Sequence, residues 1–257
     1  MKNVLKIVVA TLICAALLAI MGWSYISGAE ADGDVRCRHI NVCVNGSHGE
    51  SFVAPDEVKD AVSKQFGNII GKAERDIDLV AIEKFVNERS AVRSSEVYMT
   101  RDSVLNISIE QRYPVLRLYK NGVGCYCDCN GNLFPLQGRT TARVMIVDGA
   151  LPVNPNINGK PDSKKGRIWL NKMVGLADYV NHSAWKNRIN QMSVDEHGDL
   201  VLYLRDTRER FIFGTPDDAK DKFERIETYL TSVKPGLEEG KSYSSVNVKF
   251  ENQLVCR

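Results

Sequence analysis

Neither sign of charge is in marked excess over the whole sequence: Lys and Arg number 34, Asp and Glu 32, and the formal net charge is +2. Nor does any basic stripe suggest nucleic acid, or any acidic tail disorder. Histidine is scarce. His39, His48, His182 and His197 are scattered and form neither an H-E-x-x-H helix nor a close pair, so a protease-like metal centre lacks its ligands. Gly122-Val123-Gly124 lacks the third glycine and the following helix of a dinucleotide loop and reads as a hairpin. No G-x-S-x-G or Walker segment occurs. Neither low-complexity tracts nor solenoid repeats are present. What remains is an ordinary globular composition, 44% hydrophobic.

Charge is also missing locally, and there its absence is informative. After Lys2 and Lys6 the chain carries no charged residue from Ile7 through Ala29. Twenty helical residues at roughly 1.5 Å each cover about 30 Å, the thickness of the hydrocarbon core. Trp23 and Tyr25 stand at the outer end, where amphipathic rings favour the interface. Lysines precede the run while Glu30, Asp32 and Asp34 follow it. The positive-inside rule therefore places the N-terminus in the cytoplasm and the rest outside. A cleaved signal peptide competes with this reading, since Ala29-Glu30-Ala31 has the small-x-small form. The apolar run exceeds the roughly 7–15 residues of a signal core, which favours a retained anchor. Either way, about 220 residues are exported, enough for one large or two small domains.

Six cysteines lie in that exported part, where disulfides are permitted. Cys37 and Cys43 bracket an expected strand, about 20 Å apart at roughly 3.3 Å per residue. A disulfide needs Cα atoms within about 7 Å, so these two do not pair with each other. In an extended Cys125-Tyr126-Cys127-Asp128-Cys129 the three sulfurs share one face, and the outer Cα atoms stand about 13 Å apart. A straight strand does not converge sulfurs on a tetrahedral metal. Buried small side chains are favoured over a disulfide to another strand, and both over a metal or redox centre. Asp128 is assigned to turn geometry. No catalytic residue, metal ligand or cofactor is expected, and no nucleic acid or small-molecule substrate.

The exported chain reads as α+β. Arg36–Val44 alternates and stops at Asn45-Gly46. Pro55-Asp56-Glu57 opens a helix with Val58, Ala61, Val62 and Phe66 on one face, closed by Gly67. A second helix covers Leu79–Glu88, and strands follow over Ser95–Arg101 and Val104–Gln111. Strand, helix, helix, strand, strand in about 75 residues is a small domain with helices on one sheet face. After the seam at Arg112-Tyr113-Pro114, β-structure dominates. Strands are expected over Val115–Lys120, Gly124–Cys129, Ala142–Asp148, Gln191–Val194, Leu200–Leu204, Arg210–Phe213 and Ser244–Phe250. Asn130-Gly131 turns a hairpin. Helices are expected over Ile168–Val180, with Trp169, Met173, Leu176 and Val180 inward, and over Pro216–Leu230, capped by Thr215.

The motifs in this order resemble those of the FtsQ/DivIB family. Ile40-Asn41-Val42 before Asn45-Gly46, Phe52-Val53-Ala54-Pro55-Asp56-Glu57-Val58, Ile77-Asp78 and Ile82-Glu83 are similar to its POTRA domain. Glu110-Gln111-Arg112-Tyr113-Pro114-Val115 resembles the junction to its β domain. Cys127–Phe134 resembles a family hairpin, Gly198–Leu204 through Phe213-Gly214 another, and Val246-Asn247-Val248-Lys249-Phe250 the closing strand. Ser245, Asn247 and Lys249 depart from the aromatic, acidic and arginine residues usual there. The resemblance implies a cytoplasmic tail (1–6), a transmembrane helix (7–27), a linker (28–36), a POTRA-like domain (37–112) and a mixed-sheet β domain with flanking helices (113–257).

It implies a single-pass inner-membrane scaffold at the septum, with a periplasmic C-terminal region and no enzyme activity. It would bind an FtsB/FtsL-like pair and regulate septal peptidoglycan synthesis, with FtsK-like and septal synthase components as further partners. The implied partner surface is Tyr243, Ser244, Ser245, Val246, Asn247, Val248, Lys249 and Phe250, an edge that a partner strand extends. Alternation places Val246, Val248 and Phe250 on the core face. Two alternatives stay open: another exported POTRA-type assembly factor, and an exported cysteine-based metal or redox protein.

Overall fold

The computed structural model describes residues 13, 15–23, 35–46, 51–238 and 241–257. Of the expected span at 7–27, residues 7–12, 14 and 24–27 lie outside the described residues, as does the linker over 28–34. Residues 15–23 are helical, with apolar side chains such as Leu18 and Trp23 exposed. Among the described residues, no helix is long and apolar enough to cross a membrane.

The chain falls into two compact units. Of the described residues, the smaller takes in Pro55–Phe85, Glu96–Ser108 and those up to Cys43; the larger takes in those of Val44–Ala54, Val86–Ser95 and Ile109–Arg257. A first, three-stranded sheet has β1 (His39–Asn45), β2 (Val92–Met99) and β3 (Val104–Gln111) in the order β1-β3-β2. Leu105, Ile107 and Ile109 of β3 are fully buried, as period-two alternation requires. Helix α1 (Pro55–Phe66) carries Asp56 and Glu57 in its first turn and buries Val58 and Val62. Helix α2 (Leu79–Asn87) buries Ile82 and Val86. Phe66 meets Phe85 edge-to-face at 5.6 Å. Strand β2 begins at Val92, earlier than the expected Ser95, because Val92 and Ser95 are both buried and the chain is already extended there.

The second sheet has nine strands: β4 (Pro114–Lys120), β5 (Val123–Asp128), β6 (Leu133–Pro135), β7 (Met145–Gly149), β8 (Ile189–Val194), β9 (Leu200–Leu204), β10 (Arg210–Gly214), β11 (Ser245–Asn247) and β12 (Val255–Cys256). Their order is β12-β11-β10-β9-β8-β7-β4-β5-β6. Three pairings are parallel: β4–β7, β7–β8 and β10–β11. Helix α3 (Lys164–Asn181) fills the space between β7 and β8 in sequence, and α4 (Ala219–Thr228) that between β10 and β11. Met173, Leu176 and Val180 of α3 enter the core with Phe223 and Ile226 of α4, and Trp169 packs against it half-buried.

Two local expectations need correcting. Helix α4 does not start at Pro216 under a Thr215 cap. Its N-cap is Asp218, in the left-handed region at φ 53°, without a side-chain cap bond. The preceding turn is instead stitched by the buried Lys222, whose Nζ donates to the carbonyls of Thr215 (2.8 Å) and Asp217 (2.7 Å). Burial holds the Lys222 pKa below its ordinary value. The second correction concerns Cys129, which lies past the end of β5 and is exposed, while Cys125 and Cys127 are buried. The three sulfurs therefore do not form one face. Cys37, Cys125, Cys127, Cys129 and Cys256 are free thiols.

Candidate partner-binding edge

Asp128 organises one end of the large sheet. Its Oδ1 accepts from the amides of Asn130 (2.9 Å) and Asn132 (2.8 Å), and its Oδ2 from Arg112 at 2.7 Å. The turn role expected of Asp128 is what the structure contains. The partnership with Arg112 went unforeseen, because nothing in the spacing of the two residues signals it. Beside it, burial pushes the Cys125 thiol up to about 12 and raises Cys127 as well. Thiols so shifted are protonated and inert. Among the described residues, no group of three or more His, Cys, Asp or Glu could hold a metal ion.

The other end holds the expected partner strand. Parallel pairing sets Arg210 beside Ser245, Phe211 beside Val246 and Ile212 beside Asn247. Val246 and Val248 are fully buried, as expected. Phe250 is not: it is 49% exposed. Alternation fails because the strand stops at Asn247, whose Oδ1 accepts the Lys249 amide at 2.9 Å and turns the chain away. Ser245, expected on the outer face, is only 7% exposed. The Val248 amide still donates to Ile212 O at 3.0 Å, and Arg225 holds the Val248 carbonyl through Nε and Nη2 at 3.2 and 3.1 Å. Lys249 Nζ reaches Asp199 at 2.7 Å. Its stem crosses Gly214, where a Cβ would stand 2.8 Å from Lys249 Cγ.

The expected open edge is also occupied. Val255–Cys256 runs antiparallel on the outer side of β11, setting Cys256 opposite Val246 and Val255 opposite Asn247. Ser245 and Arg257 exchange both backbone bonds, at 3.0 and 2.9 Å. Ser244 donates twice to Arg257 O, through its amide and through Oγ. Tyr243 is half-buried against the core. The eight expected residues are thus brought together, but the chain itself covers part of their backbone. A two-residue strand carries no period to read, so sequence reasoning missed it.

Behind this end lies a buried acid. Glu209 is 1% exposed and accepts from Tyr229 Oη at 3.0 Å and Lys234 Nζ at 3.1 Å. Burial pushes its pKa up, but the backbone, Lys234 and Tyr229 hydrogen bonds outweigh that and hold it below the ordinary value.

The family model described as FtsQ/DivIB, C-terminal related, matches residues 113–257. The POTRA-like domain matches residues 35–110. No curated protein matches the chain.

Proposed function

The chain belongs to the FtsQ/DivIB family, a family of cell-division proteins, and from that premise we propose that it is a divisome scaffold working through protein contacts rather than catalysis. In this reading a single span at residues 7–27 holds it in the inner membrane at the septum, with the C-terminal region periplasmic. It recruits an FtsB/FtsL-like pair, and through it regulates septal peptidoglycan synthesis.

The observation that supports a strand-pairing surface over Tyr243–Phe250 is the polarity of the β11 backbone. The Val248 amide points to β10, whereas the Ser245 amide points the other way, to Arg257. By alternation the Asn247 amide also faces outward. That side already accepts a strand, and a partner strand would satisfy the same groups. The test is co-purification of the FtsB/FtsL-like pair with wild type and with Asn247→Pro. Proline removes an outward donor and leaves the bonds to β10 untouched. Loss of the pair from a variant whose circular dichroism matches wild type is expected. Full retention would move the partner surface elsewhere, with the POTRA-like domain the next candidate.

A further inference from the structure

Resting on that reading of Tyr243–Phe250, we propose that an incoming strand docks on β11 by displacing Val255–Arg257, not by adding outside it. The strap is a resident stand-in for the partner: antiparallel, bonded to Ser245 in both directions, and set opposite Val246 and Asn247. Its own outer side offers little. Arg257 faces inward to Ser245, and by alternation so does Val255, so only Leu254 and Cys256 turn their backbone groups outward. That is less than β11 presents beneath it, where the outward groups of Ser244, Ser245 and Asn247 already hold a strand.

The strap is also the part that can leave. Lys249 through Gln253 are exposed, Val255 is 38% exposed, and Leu254 and Cys256 are only half-buried. Beneath it, Ser245, Val246 and Val248 are buried, and the strand is held to β10 through the Ser244 carbonyl and the Val248 amide. Release therefore uncovers the outward groups of Ser244, Ser245 and Asn247 while β11 stays in place. The occupant must match what the strap supplies. It is an extended segment running antiparallel to β11, with a small apolar side chain where Cys256 meets the core. Outward apolar residues would then join the exposed Phe250.

Cys256 supplies the test. Val246 and Cys256 form the pair next to the doubly bonded Ser245–Arg257 pair, so their Cα atoms are about 4.5 Å apart, within disulfide reach. In the full-length protein carrying Cys43→Ser and Cys129→Ser, Val246→Cys permits a disulfide that clamps the strap. The probe is the purified FtsB/FtsL-like pair. Oxidation is expected to weaken binding by about tenfold or more, and reduction to restore it. In the parent carrying native Val246, alkylation of Cys256 should accelerate on adding the pair, and truncation after Gln253 should bind at least as well. Equal binding by the clamped form, or slower alkylation of Cys256 in the complex, overturns displacement in favour of addition outside the strap. If the parent itself does not bind the pair, the recruitment reading fails and displacement falls with it.

Discussion

The two edges of the nine-stranded sheet solve the same problem in opposite ways. At β6, Leu133 exchanges both backbone bonds with Gly159 at 2.7 Å, and Pro135 has no amide to offer. Leu133 and Phe134 are fully buried. At the far side, β12 is two residues long, its neighbouring loop is exposed, and Phe250 and Val255 stand in solvent. An open edge is a template for unwanted pairing. The first edge is closed with a proline and a bridge that the core holds down. The second is closed with a short, partly exposed strand. The difference fits the proposal of one permanent boundary and one partner surface.

The comparison can be broken most severely at the closed side. Asp128→Ala leaves Arg112 and the turn amides without their acceptor. A loss of about 3 kcal/mol is expected in urea unfolding, with unchanged partner binding per folded molecule. An intermediate effect is expected from Glu209, on the working side just before β10. Its folded pKa is depressed, so the stability it contributes is present above the unfolded value of about 4.3. That contribution is lost as pH falls through the lower folded value. Glu209→Gln should therefore flatten the acid limb of stability, read as urea midpoints from neutral pH downward. An unchanged limb would mean that the Tyr229–Lys234 network carries no pH dependence. The smallest effect belongs to Lys249→Ala. Its pair with Asp199 is partly exposed and worth less than about 1 kcal/mol. Binding of the FtsB/FtsL-like pair should weaken less than with Asn247→Pro. A larger loss would mean that side chains, not backbone, dominate the contact.

What could be read from the sequence tracks how locally each feature is determined. Helix α1 was legible because Pro55, two acids, an apolar stripe and Gly67 all lie within one segment. The Asn130-Gly131 turn was legible for the same reason, and Asp128 with it. The start of α4 was misread because Thr215-Pro216 is a sound local signal that the buried Lys222 overrides from a full turn inside the helix. The candidate surface was located through its valines, which are buried as expected. Its extent was not, since the Asn247–Lys249 turn breaks the alternation. The strap escaped altogether: pairing between residues 245 and 257 is tertiary information.

One topological detail bears on how the working edge comes into being. β10 and β11 are parallel, so no tight turn can join them, and all of α4 lies in the crossover. Antiparallel neighbours such as β8 and β9 close short loops at little entropic expense, whereas this pairing must wait for a long one. Contacts that span more chain form later on average. The proposed partner surface is therefore tied to completion: until the crossover helix is seated, β11 has no place beside β10.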